Sequence, residues 1–220
     1  MSREEAVPFR DGAAYLSPLA RNSVAQVLIT AITSFVAALV ACTFTEYVVH
    51  RLMHVGVLVH ARHVAHHKDG WGQGFWPELR DYLVPGTLVI VPPWFLGVSI
   101  GAGWTLGCVS CAVFIAYAHQ LQHDNPLACR WMRVPVHYVH HRDQMWHHNF
   151  GMCTDLWDRL LGTYKLVPFG EEFGPEERGR GAFEIHWLFY GGDGLSAKER
   201  ASAPAAERDE SGARARARSS

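Results

Sequence analysis

Charge is absent where a soluble domain would carry it. No Asp, Glu, Lys or Arg occurs between Asn22 and Thr45, nor between Tyr82 and His123; stretches of that length exclude an ordinary cytosolic domain. Mean hydropathy, -0.03, hides this because it averages those stretches with polar loops. Neither sign of charge is in excess: 20 Lys+Arg stand against 21 Asp+Glu, which argues against a nucleic-acid binder and against an acidic tail protein. Cysteine is scarce and odd in number, 5 in 220 residues, so there is no disulfide framework. Cys108 and Cys111 form a CxxC inside an apolar stretch, where they read as small packing residues rather than a redox or metal pair. Glycine (20) and proline (11) are too few for a fibrous or fully disordered chain. A Gly-rich phosphate loop, a GxSxG elbow and a Ser/His/Asp set are all missing. A cleavable leader is not expected, because residues 1–21 mix Arg3, Glu4, Glu5, Arg10 and Asp11 ahead of an overlong apolar run.

What is present begins with the apolar runs. A membrane helix needs roughly 20 apolar residues, and Val24 to Val49 provides them, with Asn22-Ser23 placed to cap the start. Leu83 to Ala118 exceeds one span and is interrupted by Gly101-Ala102-Gly103. That predicts a hairpin of two short spans, 83–100 and 103–118, the first kinked at Pro92-Pro93. A buried hairpin in a soluble helical protein is the alternative. Residues 50–81 and the chain beyond 119 then share one face, which collects Arg51, Arg62, Lys68, Arg80, Arg130, Arg133, Arg142, Arg159 and Lys165. The positive-inside rule makes that face cytoplasmic. Three spans put the N-terminus outside; a fourth, re-entrant or interfacial element among residues 9–23 would change that. The expected fold is all-α, an integral-membrane bundle of three to four spans with a cytosolic helical cap. Its parts are a polar N-terminal segment (1–21), a membrane domain (22–195) and a disordered Ala/Ser/Arg/Glu tail (196–220). Within it, residues 182–192 are too short to span and belong at the interface or against the cap. Arg214, Arg216 and Arg218 read as solubilising the tail, with contact to anionic lipid as the alternative, and Trp71, Trp76, Trp94, Trp131 and Trp146 are candidate interfacial anchors.

The 14 histidines carry the chemistry. Ten fall into four boxes: HRLMH (His50, His54), HVAHH (His63, His66, His67), HQLQH (His119, His123) and HYVHH (His137, His140, His141). On a helix the i,i+3 and i,i+4 spacings put the imidazoles of a box on one face, a preformed half-shell of nitrogen donors. One ion takes four to six ligands, so two ions sharing about five histidines each fit the count. Imidazole suits zinc, iron, copper and nickel, and spacing alone does not choose. His60, His147 and His148 are additional candidates; His60 reads equally as a donor to a ligand or as a surface residue. His186 reads as structural. Glu46, one turn before His50, either orients that imidazole or is an interfacial acid, and Asp158 reads as a hydrogen-bonding or ion-pairing residue that fixes the cap.

These boxes, followed by NFG at 149–151 and WDRLLGTY at 157–164, resemble the fatty acid hydroxylase/sterol desaturase superfamily over about residues 44–165. The resemblance implies an integral-membrane non-haem di-iron oxygenase, with the ten box histidines as metal ligands (zinc being possible after purification). It implies O2 as co-substrate, a lipid alkyl chain or sterol as the substrate hydroxylated or desaturated, and a separate electron donor: a reductase, ferredoxin or haem protein. No nucleic acid is implied. Carotenoid hydroxylation and ether-lipid oxidation on the same cage are alternatives within enzymes. A membrane metal-binding or transport protein is the alternative outside them, but a transporter places ligands near the midplane of its spans, whereas these histidines sit at span ends.

Overall fold

The computed structural model describes the backbone of residues 18–69 and 73–188, with side chains from 23 to 68 and 73 to 188. The polar segment before Pro18, the tail at 196–220 with its three arginines, and Trp71 lie outside the described residues. Among the described residues there are seven α-helices and no strand. They are α1 (Pro18–His54), α2 (His60–Asp69), α3 (Phe75–Ile90), α4 (Val98–Asp124), α5 (Val136–Arg142), α6 (Leu156–Leu160) and α7 (Pro175–Arg178).

α1 starts upstream of Asn22-Ser23, at Pro18, where a proline's missing N–H costs nothing in the first turn. Among the described residues two helices are long and apolar enough to cross a membrane: the part of α1 from Ser23 to His54, and α4, with 32 and 27 residues. α4 buries Cys108, Cys111, Ile115 and Leu121, whereas the apolar residues along the first half of α1 point outward. Val27, Leu28, Ile29 and Ile32 are 52–61% exposed, an arrangement stable only against lipid. α3 has 16 residues and carries Glu78, Arg80 and Asp81 near its start.

The hairpin turn expected at Gly101-Ala102-Gly103 is not there. The chain reverses earlier, through a 3-10 turn over Pro92–Leu96 that ends at Gly97, whose φ of 129° suits only glycine. The prolines therefore make the turn instead of kinking a span. Gly101 and Gly103 sit inside α4 for close packing. A Cβ on Gly101 would enter the Trp94 ring, and one on Gly103 or Gly107 would strike the α1 backbone at Ala31 or Phe35. Gly103 and Gly107 thus form a GxxxG contact that lets two helices touch backbone to backbone. Ser34 Oγ donates to the Ile100 carbonyl at 2.8 Å, and Cys42 Sγ lies 3.6 Å from Cys108 Sγ. Residue numbers rise together along both helices, so α1 and α4 run parallel. Cys108 and Cys111 are buried free thiols packed at this seam, as expected of small core residues.

Beyond α4 the chain folds over the shared end of α1 and α4 as a cap of short helices and loops. Its apolar cores join Phe75, Leu79, Leu121, Met132, Val136 and Ile185, and separately Val134, Val139 and Met145. The described part of the 182–192 segment lies against the helix ends. The carbonyls of His186 and Trp187 accept from the Phe75 and Trp76 amides, which start α3 without a helical partner. His186 itself pairs with Asp124 at 2.8 Å and is structural.

Candidate metal centre

Four elements converge under the cap. α1 brings His50 and His54 in its last turns, α2 brings His63, His66 and His67, α4 brings His119 and His123, and α5 brings His137, His140 and His141. Nine of these ten form two groups whose ligand atoms lie within 4.8 Å of one another: His50, His54, His63, His67 and His140; and His66, His119, His123 and His137. His141 is buried between the two groups, its ring 4.0 Å from that of His67 and 4.5 Å from those of His66 and His137, with neither ring nitrogen hydrogen-bonded.

The nitrogens identify what the groups can hold. His140 Nδ1 is 2.7 Å from the His148 carbonyl, and a carbonyl only accepts, so the proton is on Nδ1 and Nε2 keeps a bare lone pair. That lone pair faces His54 Nε2 at 3.0 Å and His67 Nε2 at 3.1 Å. His50 is set the same way: Nδ1 donates to the Phe150 carbonyl at 2.5 Å, leaving Nε2 3.3 Å from His54 Nε2. In the second group His123 and His137 oppose their Nε2 atoms at 3.1 Å. Where neither facing nitrogen carries a proton, the lone pairs repel unless a cation lies among them. Protons are poor candidates for that cation. Burial first, then repulsion between neighbouring imidazoles, pushes His63 down to about 3 and His67 to about 4. The same two causes hold His66, His137 and His141 well below the ordinary histidine range. Neutral, converging imidazoles are a metal-binding set.

The NFG loop orients the first group, and α6 holds the loop. Asp158, fully buried, accepts from the Phe150 amide (2.9 Å), the Gly151 amide (2.8 Å) and the Thr163 hydroxyl (2.7 Å). It fixes the cap through hydrogen bonds. Asn149 adopts φ 60° and clasps the Lys165 backbone with both ends of its amide. Glu46 does not reach His50; its carboxylate accepts from the Met152 amide at 2.8 Å, and the Phe150 carbonyl does the orienting. Three contributors went unforeseen. Glu78, buried on α3, lies 3.2 Å from His119 Nδ1 and accepts from Tyr82 and Gln73. Gln122 accepts from the His137 amide, and Gln120 accepts from the Gly74 amide. The two glutamines were legible as amides buried between histidines of HQLQH; Glu78, remote in sequence from His119, left no signal.

His60, His147 and His148 stand outside both groups. His60 Nδ1 is 2.6 Å from the Met53 carbonyl and closes the α1–α2 turn, His147 is exposed, and His148 contributes its carbonyl to His140. Trp76, Trp94 and Trp131 are 43–55% exposed. Trp146 is not among such surface residues: it packs edge-on against His54, ring centres 4.5 Å apart.

A cavity of about 1130 Å³ runs between α1 and α3 with α4 as its floor. Ala41, Val49, Leu83, Val89 and Ile90 give it aliphatic walls, Glu46, Tyr82 and Arg62 add polar groups, and it reaches His50, His63, His66, His119 and His137.

Among the described residues, an all-helical fold with two candidate membrane spans, two histidine groups able to hold metal and a cavity that reaches them fits the class of membrane-type metalloproteins. Residues 35–163, more than half of the chain, match the fatty acid hydroxylase family, and the chain belongs to that family. Over 108 residues it is 32% identical to the Delta(7)-sterol 5(6)-desaturase of Leptosphaeria maculans, an overlap covering 48% of this chain and 25% of that protein. The chain thus spans about a quarter of the length of this curated relative. No solved structure matches it.

Proposed function

We propose that this chain is a membrane-embedded lipid oxygenase that hydroxylates or desaturates an alkyl chain or sterol with O2 and electrons from a separate donor protein. The observation that carries the reading is the apolar cavity between α1, α3 and α4, which ends on five box histidines. The similarity to a sterol desaturase supports the substrate class.

Two ions fit the two groups. His50, His54, His63, His67 and His140 would hold one; His66, His119, His123, His137 and His141 would hold the other. Iron is the metal that suits the reaction, since bound iron supplies the redox chemistry for a C–H bond that acid–base side chains cannot break. The chain's own work is positional. Phe150 and His148 carbonyls hold Nδ1 protons so that Nε2 lone pairs face inward. Burial keeps the imidazoles neutral, and the aliphatic walls exclude water and align the substrate.

The parallel course of α1 and α4 supports three crossings. If both span in one direction, the chain between them must recross, and α3 with the Pro92–Leu96 turn is the segment that returns. That puts the cap on one face, cytoplasmic by its basic residues.

Metal analysis of detergent-purified protein, joined to lipid mass spectrometry of cells with and without the chain, tests the proposal. About two ions per chain and a lipid that gains one oxygen or loses two hydrogens are expected. Well-folded protein with no bound metal would end the reading.

A further inference from the structure

Residues 180–187 lie beyond the family match, which ends at 163, yet they return as a strap to the helix ends that frame the second histidine group. Asp124, the last residue of α4, is the hub of that contact, with its side chain 8% exposed. It accepts from the His186 amide at 2.7 Å, from His186 Nδ1 at 2.8 Å and from Gln120 Nε2 at 2.7 Å. Gln120 in turn accepts from the Gly74 amide at 2.8 Å. The His186 and Trp187 carbonyls accept from the Phe75 and Trp76 amides at 2.8 and 3.0 Å. Arg180 donates to the Asp124 carbonyl, Asn125 donates to the Gly181 carbonyl, and Ile185 is buried with Phe75, Leu79 and Leu121. The strap thereby ties the last turn of α4 to the first turn of α3, supplying partners to backbone groups that neither helix can satisfy alone.

These two turns serve one group only. α4 gives His119 and His123 to the second group and nothing to the first, while Glu78, one turn into α3, lies 3.2 Å from His119 Nδ1. We propose that the strap, acting through the His186–Asp124 pair, positions the second histidine group, so that the hold on the second ion depends on a segment outside the family match. The inference rests on the two-ion reading proposed above. His186 belongs to neither group, so its part is positioning. Asp124 holds Gln120 and Gln120 holds Gly74, so a loss at His186 passes along these hydrogen bonds to the helix start that aims Glu78 at His119. The outer partner of a ligating imidazole fixes its ring orientation, and affinity follows that orientation. The first group draws its ligands from α1, α2 and α5, and none of those hydrogen bonds joins the strap to them.

The test is chelator competition on the zinc-loaded, detergent-purified full chain, which reads each ion without turnover. Zinc should leave in two steps, and Glu78→Gln marks the step of the second group because it weakens that site. H186A should move the same step about three- to tenfold toward release and leave the other unmoved, a smaller effect than removing a direct partner of a ligand. D124N should do the same, and the H186A/D124N double variant should be no worse than either single change, since each breaks the same pair. H186N, which keeps an N–H donor near the Nδ1 position, should restore most of the hold. A strap that merely stabilises the cap gives a different pattern: H186A lowers the unfolding temperature and both steps shift together. That pattern, an unmoved second step, or H186N as weak as H186A overturns the proposal. Two zinc steps that H186A leaves unmoved keep the oxygenase reading standing, whereas a folded chain that binds no zinc ends both.

Discussion

The outer half of α1 and its last turns obey opposite rules. Ile29 and Ile32 are about 60% exposed, whereas Glu46, Tyr47 and His50 are buried. Apolar atoms face out in the first region and polar atoms face in at the second, along one helix. The chain satisfies much of the second region itself, through the Met152 amide on Glu46 and the Phe150 carbonyl on His50, and leaves to outside partners only the exposed apolar face of the first and the inward Nε2 atoms of the second. Water satisfies neither, because it cannot cover the isoleucines cheaply and cannot enter among the imidazoles.

Breaking the inner region should cost most. Ala at His54, His66, His123 or His140 should lower turnover at least about 100-fold and remove about one ion per chain, and two such changes should be no worse than one. Metal analysis alongside a product assay checks this; variants that keep metal and still oxidise lipid would contradict the centre as assigned. Asp158→Ala comes next. It strands two buried amides and a hydroxyl, so it should destabilise the cap by about 2–4 kcal/mol, visible as earlier thermal unfolding, and loosen the metal held through His50.

Glu78→Gln tests the carboxylate beside His119 at the second group. Metal affinity there should fall roughly ten- to a hundredfold, measured by chelator competition, while the His50 group keeps its ion. Acidification should act on both groups. The buried His63 and His67 hold values of about 3 and 4, below the ordinary value of about 6.5 that they regain on unfolding. The fold therefore binds fewer protons than the unfolded chain, and stability rises with pH across that interval. Metal retention should be complete above about pH 6.5 and be lost as pH falls toward 4; loss on raising the pH instead would reverse the sign. Smallest of all should be Ile32→Ala in the lipid-facing region. At 61% exposure it should leave metal content and turnover at wild-type levels, and a large effect would mean that α1 is packed against protein there.

Much of the cap was readable from spacing alone. The histidine boxes obey helical periodicity, which is a property of the backbone and needs no partner, and the ten box residues do meet under the cap. The α3–α4 turn was not readable. Gly101-Ala102-Gly103 looks like an interruption in a one-dimensional hydropathy trace, yet what those glycines do depends on Trp94 and on the α1 backbone opposite them. The Pro92-Pro93 pair was visible but has two readings, kink and turn, and only the chain reversal at Gly97 separates them.

Local chemistry therefore settled the composition of the site: which residues donate nitrogen, that they lie on helix faces, and that they flank apolar runs. Those follow from residue type and short spacing. Packing settled how the donors divide into two groups, which carbonyl sets each tautomer, and that Glu78 rather than Glu46 stands beside an imidazole. Several of these depend on contacts between distant parts of the chain, as with Glu78 and His119, Glu46 and Met152 or His50 and Phe150, and no periodicity records a contact made across that much chain.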